Sequence, residues 1–145
     1  MAYRAGKGVM VMALKYLLDT DVIIWHLRGH EPTEKILKAI EIDQPIGCSV
    51  ISVIETLAGI REKELATTSQ FLAPLYKIPI DGNIAIKAAE YWREFRAKGI
   101  TIGQADAMIA ATANILKLTL ITYNRRHYPM DGIAFYENTF DMKLA

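Results

Sequence analysis

Short apolar runs that suit β-strands alternate along this chain with longer stretches whose apolar residues recur every three or four positions. The strand-like runs are 15–18, 46–48, 76–80, 119–122 and 133–135. Helical spacing covers 22–27, 32–42, 52–60, 65–75, 83–98 and 104–116. A chain that returns through helices after each strand lays those strands parallel, and a parallel sheet is covered on both faces. The alternation therefore predicts an α/β protein, a three-layer α/β/α sandwich around a central, mostly parallel twisted sheet.

Local signals agree with these boundaries. Pro32 suits the first turn of a helix, where its missing N–H costs nothing. Ser52-Val53-Ile54-Glu55 fits the S-x-x-E capping box that opens one. Asp81 can cap the helix over 83–98, and Gly99 can end it. That helix repeats Ile84, Ala88, Tyr91, Trp92 and Phe95 at helical spacing. Its apolar area fits a homodimer surface or ordinary core packing.

Bulk properties narrow the class. A length of 145 residues suits one domain, and 52% hydrophobic residues supply a core without disulfides. The lone Cys48 lies in an apolar run and reads as a small core residue. The net charge of +1 gives no global basic field, so nucleic-acid binding would need a local patch or metal ions. Residues 1–13 read as a loosely held extension ahead of a single domain over 14–145. Arg4 and Lys7 precede an apolar run over 9–14, but the run is brief and Lys15 interrupts it, unlike a signal peptide. It is too short to span a bilayer, so no membrane partner and a cytoplasmic location are expected.

Most acids fall among lysines and arginines on helix surfaces, but three do not. Asp19 ends an apolar strand at the edge where parallel sheets bind ligands, and it can equally cap the next helix. Glu55 has Ile51, Ser52, Ala58 and Gly59 as helical neighbours, and it can equally be the reciprocal half of the capping box. Asp106 opens a helix and faces Ile109 and Ala110, a position that also suits the helix dipole. Each begins or nearly begins a helix that follows a strand or loop, and such starts can converge at one sheet edge. Two bare carboxylates about 5 Å apart repel by about 3 kcal/mol at an effective dielectric of about 20. A cluster of them protonates or binds a cation. Hard oxygen donors select Mg²⁺ or Mn²⁺ over Zn²⁺. His26, His30 and His127 show no zinc spacing.

Four motifs in order resemble the PIN-domain family, and within it the VapC-type ribonuclease toxins of type II toxin–antitoxin systems. They are Leu18-Asp19-Thr20-Asp21, then Ser52-Val53-Ile54-Glu55 followed by Gly59, then the run from Ala105 to Ala113, then Leu120-Ile121-Thr122-Tyr123-Asn124 with Arg125-Arg126-His127-Tyr128. The resemblance runs from about Lys15 to Phe135 and implies a PIN-like fold. It also implies an Mg²⁺-dependent endoribonuclease, with Mn²⁺ able to substitute, that hydrolyses RNA phosphodiester bonds to 5′-phosphate and 3′-hydroxyl ends. Asp19, Glu55 and Asp106 match the family's metal-holding acids. Asn124 matches the place of a fourth acid and joins the catalytic set as an amide. Thr122 matches a supporting hydroxyl, Thr20 and Asp21 sit at variable supporting positions, and Arg125 and Arg126 could contact phosphates. His127 reads as structural or RNA-facing. The partners implied are RNA, a cognate antitoxin and a second copy of the chain. Two other readings stand beside this one. The first is a PIN-like binding module without catalysis. The second is a receiver-type phosphoacceptor domain, which would need a lysine where Thr122-Tyr123-Asn124 stands.

Overall fold

The computed structural model describes residues 14–41, 45–137 and 139, so the expected extension over 1–13 lies outside the described residues. The chain runs β1 (Tyr16–Leu18), α1 (Thr20–Leu27), α2 (Glu31–Glu41), β2 (Ile46–Ser49), α3 (Val50–Ala58) and α4 (Leu65–Leu72). It continues through β3 (Tyr76–Ile78), α5 (Gly82–Ala97), α6 (Gln104–Leu116), β4 (Thr119–Ile121) and β5 (Ala134–Phe135). Short 3-10 turns at Glu62–Glu64 and Arg125–His127 punctuate it. The five strands form one sheet in the order β3-β2-β1-β4-β5, and every pairing is parallel. The α/β/α reading holds, and the sheet is parallel throughout the described residues.

Alternation along the strands divides the core in two. Leu17 and Leu120 face one side, where they join Ile84, Tyr91 and Phe95 of α5 and Ile109 of α6. Tyr16, Leu18 and Ile121 face the other side with Val22 and Ile23 of α1, Leu37 and Ile40 of α2, and Leu72 of α4. Cys48 lies buried in this second core, as expected for a small apolar residue. The ends of α5 follow the sequence signals: Asp81 Oδ1 accepts from Ile84 N at 2.9 Å, and Gly99 takes a left-handed φ of 77° just beyond the helix. Tyr91 and Phe95 belong to the core, so the self-association surface expected from this helix loses two of its three aromatics. Trp92 alone of them is 42% exposed.

The strand order fixes where a site can form. From β1 the chain moves outward through β2 to β3, then crosses back to place β4 on the other side of β1. Neighbouring strands whose connections leave in opposite directions open a crevice at their carboxyl ends. Here those strands are β1 and β4, with Leu18 paired to Ile121. The next residues of the two strands, Asp19 and Thr122, therefore meet at the crevice.

Candidate metal centre

Asp19 follows β1 and caps α1, so both readings of this residue are realised at once. Its Oδ1 accepts from Thr20 N at 2.8 Å. Its Oδ2 accepts from Thr122 Oγ1 at 2.7 Å and from the Tyr128 hydroxyl at 2.8 Å. Only 6% of Asp19 is exposed. Burial pushes its carboxyl up to about 6, the hydroxyl and amide donors pull against that, and the Asp106 charge adds a smaller upward push.

Asp21 sits deeper than a variable supporting position suggests. It is as buried as Asp19, and its Oδ2 accepts from Tyr123 N at 3.1 Å and from Asn124 Nδ2 at 2.7 Å. Its Oδ1 is buried with no partner among the described residues. Burial, then the charge of Asp19, pushes this carboxyl up to about 8. Asn124 thus spends its side-chain donor on Asp21, and its backbone N–H donates to Thr122 Oγ1 at 3.0 Å.

Asp106 stands in the first turn of α6, half-buried. Its Oδ1 lies 3.4 Å from the Tyr128 hydroxyl, and its Oδ2 lies 3.7 Å from Nδ1 of His127. Burial raises its carboxyl, His127 and the Tyr128 hydrogen bond lower it, and Glu55 raises it slightly. Gly103 leaves room for the acid, because a Cβ there would stand 3.0 Å from Asp106 Oδ2.

Glu55 reaches the crevice from α3 for a reason the sequence misread. The helix opens two residues earlier than expected, with Ser49 as its cap accepting from Ile51 N at 3.1 Å. The Ser52–Glu55 capping box does not form. Ser52 is instead buried at 2.8 Å from Thr20 Oγ1, and the same hydroxyl donates to Glu55 Oε1 at 2.7 Å. With the helix opened at Ser49, contact between α1 and α3 places Ser52 and Glu55 against Thr20.

The two arginines separate. Arg125 sends its guanidinium to the carbonyl of Tyr136 and over the ring of Phe135, 5.2 Å from its centroid. Arg126 is exposed. Tyr128 is the residue that sequence reasoning missed. No spacing signals a hydroxyl whose partners lie 109 and 22 positions away.

Hydroxyls thus tie Asp19 to Asp106 through Tyr128 and link the Asp19–Thr20 corner to Glu55 through Thr20. Among the described residues, no three His, Cys, Asp or Glu side chains stand close enough to enclose an ion as they are. Hydroxyls stand among the acids, Tyr128 between Asp19 and Asp106 and Thr20 against Glu55. The donor chemistry still fits a hard divalent cation: every group is an oxygen, two carboxyls are buried and raised, and Asp21 Oδ1 lacks a partner.

A parallel α/β domain with carboxylates gathered at its switch point belongs to the acid-site class of such folds. The comparisons make the class specific. The PIN domain model matches residues 16–133. Ribonuclease VapC10 of Mycobacterium tuberculosis is 37% identical over 114 residues, covering 79% of this chain and 86% of that protein. The DNA-bound VapBC structure from Salmonella typhimurium aligns with a TM-score of 0.76 at 25% identity, over 85% of this chain and 97% of that one. A toxin–antitoxin complex from Klebsiella pneumoniae aligns with a TM-score of 0.68 at 26% identity, over 85% and 99% of the two chains. The chain belongs to the PIN-domain family.

Proposed function

We infer that this protein is a divalent-metal-dependent endoribonuclease and the toxin of a toxin–antitoxin pair. The observation that carries the reading is the approach of Asp19 and Asp106 to one buried hydroxyl at the switch point. The kinship with a ribonuclease supports the reaction class, and kinship with a toxin–antitoxin complex supports the partner. Asp19, Asp106 and Glu55 would hold Mg²⁺, with Mn²⁺ able to replace it. When bound, the cation supplies positive charge that admits phosphate to an acidic crevice and water activation for in-line hydrolysis.

The chain's own residues do the rest. Thr122 and Tyr128 fix the orientation of Asp19. Asn124 and the Tyr123 amide hold Asp21 behind it, where its charge adds to the site when ionised. Thr20 aims Glu55. Arg126 is exposed beside the cluster and suits a backbone phosphate. A cognate antitoxin would cover the crevice, and a second copy of the chain would pair with this one. Among the described residues no helix is long and apolar enough to cross a membrane.

The decisive experiment incubates purified, antitoxin-free protein with RNA and Mg²⁺ or Mn²⁺, beside Asp19→Asn. New 5′-phosphate and 3′-hydroxyl ends made by the unaltered chain and lost in the variant support the reading. A folded protein that cuts no RNA with either ion overturns it in favour of a PIN-like binding module, which the amide at Asn124 would suit. Thr122-Tyr123-Asn124 gives a receiver-type domain no lysine at the strand end.

A further inference from the structure

We propose that Tyr128 is a positioning residue of the metal site, whose buried hydroxyl holds Asp19 and Asp106 at a fixed separation so that a divalent cation meets a preformed pair. The proposal rests on the metal-site reading above. Tyr128 follows the 3-10 turn at Arg125–His127, and its backbone N–H donates to Arg125 O at 2.8 Å. Only 2% of the residue is exposed, and its ring belongs to the same core as Leu120, Ile109 and Met130. Packing therefore fixes the hydroxyl, and the carboxylates conform to it.

One phenolic proton faces two acids. It donates to Asp19 Oδ2 at 2.8 Å, with Asp106 Oδ1 at 3.4 Å on its other side. Oδ2 of Asp19 already accepts from Thr122, so both of its lone pairs are taken. Oδ1 accepts from Thr20 N alone among the described residues and keeps a lone pair for an ion. The two hydroxyls thus choose which oxygen of Asp19 is offered. Phenylalanine at 128 keeps the ring and its packing but leaves Asp19 free to rotate and Asp106 free to recoil.

The test titrates Mn²⁺ into the metal-free full chain and into Tyr128→Phe by calorimetry, then measures RNA cleavage against metal and against RNA concentration. Loss of a hydrogen-bond partner behind a metal ligand typically weakens affinity 10- to 100-fold, so the variant should bind Mn²⁺ about 10-fold more weakly. Its half-saturating metal concentration should rise by the same factor while KM for RNA stays unchanged. Equal Mn²⁺ affinity in variant and unaltered chain overturns the proposal. An unaltered chain that binds no Mn²⁺ overturns it together with the metal-site reading. An unaltered chain that binds Mn²⁺ but cuts no RNA overturns only the nuclease reading, and the affinity ratio still decides for Tyr128. If Tyr128→Phe does not fold, carbon-13 labelling of the tyrosine Cζ atoms in the unaltered chain replaces it. Adding Mg²⁺ should move the Tyr128 resonance and leave that of Tyr91 in place, and an unmoved Tyr128 signal overturns the proposal.

Discussion

The two ends of the parallel sheet differ in kind. Beside the amino ends of β2 and β3 lies a cavity of about 620 Å³, lined by Leu37, Ile46, Phe71 and Leu75, with Glu34, Lys38 and His26 among its polar groups. Lys38 Nζ lies 3.1 Å from Glu34 Oε1 and His26 stacks on Phe71, while Nδ1 of His26 is buried without a hydrogen-bond partner among the described residues. The carboxyl ends of β1 and β4 hold carboxyls pushed up to about 6 and about 8, and these are answered by hydroxyls and amides. Volume alone favours the first end. Unbalanced charge favours the second, and chemistry follows charge. The large cavity is what packing leaves between helices, whereas the crevice carries an electrostatic cost that protons or a cation must relieve.

Substitutions at the two ends should therefore separate activity from stability. The largest effect is expected for Asp19→Asn, which should lower RNA cleavage by about 100-fold or more while circular dichroism shows a folded protein. Retained cleavage would erase the distinction between the ends. Leu37→Ala in the cavity wall should lower unfolding free energy by about 2 kcal/mol in urea titrations, with cleavage per folded molecule unchanged.

A smaller effect concerns protons. Burial pushes the Asp19 and Asp21 carboxyls up from their ordinary value of 3.8, to about 6 and about 8. The folded state therefore holds protons that the unfolded chain has released. Their stabilisation is complete below about pH 4 and is lost as pH rises through 6 and 8. The metal-free protein should melt at lower temperature at pH 8 than at pH 5 by scanning calorimetry, and Mg²⁺ should reverse the loss. Asp21→Asn should raise unfolding free energy by about 1 kcal/mol at pH 8 and leave it unchanged at pH 4. Cleavage at limiting Mg²⁺ should run the other way and fall as pH drops, because protons compete with the cation for Asp19. The smallest effect is expected at the cavity rim. Lys38→Ala removes an exposed pair with Glu34 and should cost less than about 0.5 kcal/mol.

Legibility in the sequence followed the range of the interactions involved. Short apolar runs over 16–18 and 119–121 and helical spacing in 83–98 and 104–116 are local patterns, and they place the layers correctly. The acids at strand and helix ends were visible because topology brings such ends together. Ser52 misleads because the cap is Ser49, three residues earlier, which leaves Ser52 inside the helix and turned to Thr20. Arg125 looked like a surface cation because nothing nearby in sequence announces the carbonyl of Tyr136. Tyr91 and Phe95 were ambiguous between core and interface until the sheet they cover was known. Tyr128 stands in the closing motif but without a role, since nothing local shows that its hydroxyl meets two acids 109 and 22 positions away.

The separations within the crevice make the site a product of the finished sheet. Asp19 receives its hydroxyl donors from residues 103 and 109 positions later, beyond β4. A chain in which β4 has yet to dock beside β1 carries the acids with nothing to organise them, so assembly of the crevice and closure of the sheet are one event.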